Sequence, residues 1–173
     1  MKEQWFGDSY DLVKRVLLEA VSDSGFEVFA DPMITEADFD NIEQYFRLIK
    51  AKPLPADFTT NDGTCLFLDP NTGISKDTKK RSKHHITVTK LKERLSAGLI
   101  VVYDQSFNFQ INPFITIQEK LSELNNHSIS GFYYASHANF LFASKKVEVL
   151  EKVKLKLLDI GIPSSRLINL GNH

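Results

Sequence analysis

Three short apolar runs, each closed by an aspartate, constrain this chain more than anything else in it. They are Phe26-Glu27-Val28-Phe29-Ala30 before Asp31, Thr64-Cys65-Leu66-Phe67-Leu68 before Asp69, and Leu99-Ile100-Val101-Val102-Tyr103 before Asp104. Short runs of aliphatic and aromatic residues bounded by turn formers read as strands, and near-continuous ones as strands covered on both faces. Amphipathic stretches separate them. Strands alternating with helices imply a mainly parallel sheet with right-handed crossovers and helices on both faces.

The spacing predicts a first helix over residues 9–22, with Leu12, Val13, Val16, Leu17 and Ala20 on the buried stripe and Lys14, Arg15 and Glu19 largely opposite. Asp31-Pro32 halts the strand that follows, because the residue before proline is pushed out of the helical region. Thr35 is positioned to cap a second helix to about Leu48, burying Phe39, Ile42, Tyr45 and Phe46. Residues 51–62 read as irregular. Thr87 or Thr89 caps a helix that ends before Gly98, and Pro113 opens another with Ile117, Leu121 and Leu124 inward. Residues 131–135 and 139–143 form an antiparallel hairpin, and a last helix over 147–159 precedes a short apolar tail.

At 173 residues the chain fits one α/β domain, residues 1–173, able to bury a single substantial core. Its 21 basic and 22 acidic side chains nearly cancel, so polycationic binding of nucleic acid is not expected and only a local patch can attract polyanions. The lone Cys65 cannot form an intrachain disulfide, and no Cys/His zinc spacing exists. The start Met1-Lys2-Glu3-Gln4-Trp5 lacks the apolar run expected of a signal peptide, and no window reaches the ~18 apolar residues of a membrane span. A cytoplasmic protein without a membrane partner is the expectation.

Two segments carry a resemblance. Phe6-Gly7-Asp8-Ser9-Tyr10-Asp11-Leu12-Val13-Lys14-Arg15 resembles the opening helix of small adenine-N6 methyltransferases acting on ribosomal RNA, and Leu68-Asp69-Pro70-Asn71 resembles their Asp-Pro-Pro-Tyr motif. The element order is similar to the S-adenosylmethionine-dependent methyltransferase fold, a Rossmann-like sheet that finishes in an antiparallel hairpin. This likeness implies S-adenosylmethionine as cofactor, bordered by Asp8, Asp11 and Asp31, with nucleic acid or another phosphorylated ligand as partner. The departures are specific: Asp31-Pro32-Met33-Ile34-Thr35-Glu36 replaces a glycine-rich loop, and Asn71 and Thr72 replace a proline and a base-stacking aromatic. The chain also resembles, more closely, a set of bacterial proteins with a Gly-Asp-x-x-Asp-x-x-Lys start, an Asp-Pro-Asp/Asn-Thr/Asn-Gly centre and a Ser-Lys-His/Tyr loop. That likeness implies no activity.

Ligands of parallel sheets sit outside the carboxyl ends of strands, which makes Asp69 the first candidate for chemistry, with Asn71 beside it. The competing role for Asp69 is an Asx turn, with Gly73 supplying a positive φ. Asp8 competes with helix capping in the same way. Lys79, Lys80, Arg81 and Lys83 form a basic cluster, read either as solvated loop or as a phosphate contact, and His84 is preferred over His85 as an imidazole reaching the site. Asp8, Asp31, Asp69 and Asp104 converging on Mg2+ define the alternative of a metal-dependent phosphodiester hydrolase. A non-catalytic interaction domain is the third possibility. Cys65, His137 and Asn139 read as structural, and Phe107 and Phe109 as a possible stacking pair.

Overall fold

The three aspartate-terminated runs are neighbours in one sheet. In this computed structural model, which describes residues 6–34, 41–56, 58, 61–75, 85–96, 98–108 and 110–171, they form β1 (Glu27–Asp31), β3 (Thr64–Leu68) and β6 (Leu99–Asp104). All three are parallel, with Val28 opposite Cys65 and Phe67 opposite Val101. Every residue of β3 and β6 is buried, which is why those two runs carry no polar alternation.

The segment expected to be irregular supplies β2 (Lys52–Pro53), parallel to β1 at the sheet margin. Pro53 is tolerated there because an edge strand needs no outward-facing amide. On the other side, β7 (Ser130–Tyr134) and β8 (Asn139–Ser144) make the expected hairpin, and β8 inserts antiparallel between β6 and β7. The apolar tail forms β9 (Leu167–Asn169) against β7, so the hairpin is not the margin of the sheet as expected. Among the described residues the seven-stranded order is β2-β1-β3-β6-β8-β7-β9, and all strands but β8 and β9 run the same way. A separate two-residue pair, β4 (Ile74–Ser75) with β5 (Ile86–Thr87), stands beside it.

Helices cover both faces. α1 (Ser9–Asp23), α2 (Ile42–Ile49) and α5 (Val147–Asp159) bury Leu17, Leu18, Tyr45, Ile49 and Val153 against Val28, Ala30, Phe67, Val101 and Phe140. On the opposite face, α3 (Val88–Arg94) and α4 (Pro113–Asn126) bury Leu91, Ile117 and Leu124 against Leu66, Leu68, Ile100 and Val102. Thr87, not Thr89, caps α3 by accepting from the Lys90 amide, and Pro113 occupies the first turn of α4 as expected. Thr35 and Phe39 lie outside the described residues.

One face assignment is overturned. Leu12 and Val16 are 52% and 51% exposed, whereas Asp11 and Lys14 are buried. Lys14, Leu17, Leu18 and Val21 form a helical stripe of the same period as the apolar one read from sequence, rotated around the axis. The rotation keeps Leu17 and Val21 in the core and turns Lys14 to a carboxylate waiting at the end of β3. Periodicity alone cannot see that carboxylate.

Candidate functional site

The pleat decides what each terminal aspartate can reach. Successive residues of a strand point to opposite faces. Phe67 packs on the α1 side, so Asp69 points there too, its backbone still tied to β1 by a 3.1 Å bond from its amide to the Asp31 carbonyl. Ile100 and Val102 pack on the α3/α4 side and carry Asp104 with them. Asp31 shares the α3/α4 side, where Arg94 of α3 donates to its Oδ2 at 2.6 Å and the Met33 amide to its Oδ1 at 3.0 Å.

On the α1 side Asp69 is 3% exposed and held through one oxygen. Its Oδ2 accepts from Lys14 Nζ at 2.8 Å and from the Tyr45 hydroxyl at 2.7 Å. Lys14 Nζ also donates to Asp11 Oδ1 at 2.8 Å, and Asp11 Oδ2 accepts from the Gly7 amide at 2.8 Å. The Tyr103 ring lies 4.8 Å from the same ammonium. No described residue donates to Asp69 Oδ1. Burial works against the Lys14 ammonium, but the Asp69 and Asp11 carboxylates outweigh it and raise its pKa above the ordinary lysine value. Burial, and then the charge of Asp69, push the Tyr45 hydroxyl well above its ordinary range, so it remains a donor at neutral pH.

A second aspartate, lysine and tyrosine meet on the other face. Asp104 Oδ2 accepts from Lys120 Nζ at 2.5 Å and from the Tyr133 hydroxyl at 2.8 Å. Its Oδ1 accepts from the Ile74 amide at 2.9 Å, the Ser106 amide at 3.1 Å and the Ser106 hydroxyl at 2.6 Å. Gly73 lies so close that an added Cβ would stand 2.2 Å from Asp104 Oδ1, and its φ of +88° is one that side chains rarely adopt. The positive φ expected at Gly73 is therefore present. It serves Asp104 as much as the turn after Asp69.

These placements sort the remaining candidates. Asp8 caps α1, its Oδ1 accepting from the Tyr10 amide at 2.8 Å and the Asp11 amide at 3.2 Å. Both oxygens of Asp11 and both of Asp31 are taken by protein donors. The residues thus do not fit S-adenosylmethionine held through Asp8, Asp11 and Asp31, and the loop after β1 carries Pro32 and a left-handed Met33, φ +47°, where a glycine would admit a ligand. Among the described residues, no three His, Cys, Asp or Glu side chains gather to hold a metal ion. The pleat explains this, since Asp69 faces away from Asp31 and Asp104.

Asn71 sits half-buried just beyond Asp69. His85 Nδ1 and Thr72 Oγ1 are 2.7 Å apart, which ties the start of β5 to the turn after β3. His84, Lys79, Lys80, Arg81, Lys83 and Phe109 lie outside the described residues. Phe107 packs edge-on against Tyr133, 6.2 Å between centroids, with Lys120 Nζ 4.4 Å from its ring centroid, and so belongs to the Asp104 cluster. Asn139 receives the Ser136 amide inside the hairpin turn, and Cys65 is fully buried, its thiol pushed up by that burial. Among the described residues, no helix is long and apolar enough to cross a membrane.

Sequence reasoning missed Lys14, Tyr45 and Tyr103 as partners of Asp69, and Lys120 and Tyr133 as partners of Asp104. The helical spacing of Asp8, Asp11 and Lys14 was the one available signal; it puts the three on one face of the helix start without identifying Asp69 as the partner of Lys14. Comparison of the chain with protein-family models and with curated proteins finds no match.

Proposed function

We propose that the chain is a methyltransferase-like domain that binds nucleic acid or another phosphorylated ligand, taking a nitrogen-bearing group of that ligand at Asp69. The observation that carries the reading is the asymmetric use of the Asp69 carboxylate. Lys14 and Tyr45 both donate to Oδ2, no described residue donates to Oδ1, and every sealed side-chain oxygen among the described residues has a partner. Oδ1 is thus the atom through which Asp69 reaches a ligand. Lys14 and Tyr45 hold the carboxylate in place through Oδ2, so the site presents a preorganised acceptor for an N–H or O–H donor.

The position supports the same reading, because it lies outside the carboxyl ends of parallel strands, where α/β sheets take their ligands. Phosphate contact falls to Lys79, Lys80, Arg81 and Lys83, whose flanking residues Ser75 and His85 belong to and adjoin the β4/β5 pair. No methyl-transfer step is assigned, since the acids of the expected cofactor cleft are committed to protein partners.

Calorimetry with S-adenosylmethionine and its demethylated product separates a catalytic domain from a binding one. Retention on a polyanion column across a salt titration tests the ligand class. Replacing Lys79, Lys80, Arg81 and Lys83 by Ala is expected to weaken retention and flatten its salt dependence. Equal retention of both proteins removes nucleic acid from the reading.

A further inference from the structure

We propose that Gln118 guards the β9 margin of the sheet: its carboxamide stands where a further strand would pair, and it keeps two copies of this chain from joining edge to edge. β9 ends the sheet order, with three strands between it and β3, so this margin is remote from Asp69. Along an antiparallel edge, successive residues turn their backbone N–H and C=O to opposite sides. The Arg166 carbonyl accepts from the Ala135 amide at 2.8 Å and Ile168 pairs with Tyr133, so Arg166 and Ile168 face β7 while Leu167 and Asn169 turn their polar groups outward. A row of outward groups is a template for another strand.

Gln118 of α4 meets that row. Its Nε2 donates to the outward Asn169 carbonyl at 2.8 Å, and its Oε1 accepts from the Gly171 amide, also at 2.8 Å. One residue of a neighbouring parallel strand makes the same pair of bonds, to a carbonyl and to the amide two residues on. The side-chain amide is thus a substitute peptide unit. The Leu167 amide is turned back to the Ser164 carbonyl by the 3-10 turn at Ser164–Arg166. The opposite margin is blunted differently, since β2 is two residues long and contains Pro53. Leu167-Ile168-Asn169-Leu170 holds neither proline nor charge, and Leu170 is 42% exposed. A short uncharged segment of this kind is prone to pair with its own copy, because antiparallel pairing about a two-fold axis brings identical edges together. A second copy of this chain is therefore the partner that Gln118 excludes.

Sedimentation velocity of the full chain, from micromolar to millimolar, tests this. The wild type is expected to stay monomeric, whereas Gln118→Ala should dimerise with a dissociation constant at least about tenfold below any wild-type value. Gln118→Met, of similar length but without the amide, should do the same and separates loss of the guard from loss of packing on α4. Adding Asn169→Pro removes an outward amide and leaves the Ile168 bonds to β7 in place, so it should return either variant to monomer. In the dimer, the Asn169 amide should exchange more slowly as concentration rises. A folded Gln118→Met that stays monomeric over the whole range overturns the guarding role. Dimers that survive Asn169→Pro also overturn it, because they join through another surface, and so does a wild type that dimerises as tightly as the variants.

Discussion

Asp69 and Asp104 end adjacent parallel strands, and each meets one lysine and one tyrosine, yet they differ in what is left over. Asp104 is 0% exposed and receives five donors spread over both oxygens. Asp69 receives two, both on Oδ2. A saturated carboxylate is a structural joint: through Ile74 and Ser106 it fastens the β4/β5 pair to the end of β6. A half-used one, held by the same partner types, is what the proposed ligand site rests on. Counting donors on each oxygen thus separates two clusters that residue type alone would equate.

The largest expected effect is on the Asp104 side. Asp104→Ala removes the carboxylate shared by the buried Lys120 ammonium and the Tyr133 hydroxyl, and should cost about 3–5 kcal/mol in urea denaturation. Asp69→Ala should cost less, about 1–3 kcal/mol, because Lys14 keeps Asp11 as counter-ion. An equal or larger loss at Asp69 would break the distinction. Gly73→Ala should cost about 1–3 kcal/mol, since the new methyl must displace Asp104 Oδ1 or the backbone of Gln105 and Ser106. Its damage should appear as faster amide exchange in β4 and β5, not in α1.

The pH dependence sharpens the same contrast. Tyr45 and Tyr133 have folded-state pKa values raised above the ordinary 10.0, first by burial and then by Asp69 or Asp104, and burial pushes Tyr103 up to about 12. A raised pKa means that the unfolded chain loses its proton first, so the folded state binds more protons above pH 10 and stability falls as pH rises. Below that, the contribution of these groups is fully present. Denaturation midpoints measured up the alkaline range should decline above about pH 10, with Cys65 beginning the decline from its ordinary 9.0. Tyr45→Phe and Tyr133→Phe should each flatten the slope by about one proton, and a slope unchanged by both contradicts the burial of these hydroxyls. The smallest effect belongs to Asp8. Asp8→Ala should cost about 1 kcal/mol, the worth of a helix cap, with Asp104-side exchange unaltered.

What the sequence made legible follows from where the information lies. The strands β1, β3 and β6, the hairpin and α5 are set by local composition and period, and were readable as such. β2 and β9 were not, because two- and three-residue edge strands carry too little pattern and exist through the neighbour they pair with. Asp69 could be singled out because strand-end position is a local fact. Its partners Lys14 and Tyr45 lie 55 and 24 residues away in sequence, and only the packing of α1 and α2 brings them in. The four aspartates do not gather in the structure, since a one-residue difference in the strand's end sends a side chain to the opposite face.

The proposed division is that Asp69 keeps an acceptor for ligand while Asp104 has none to spare. A high-resolution crystal structure at neutral pH tests it most directly. It should find a non-protein donor within about 2.6–3.2 Å of Asp69 Oδ1, with Lys14 and Tyr45 on Oδ2, and Asp104 bonded to protein donors alone. A protein donor seated on Asp69 Oδ1, or a solvent-bonded Asp104, would contradict it.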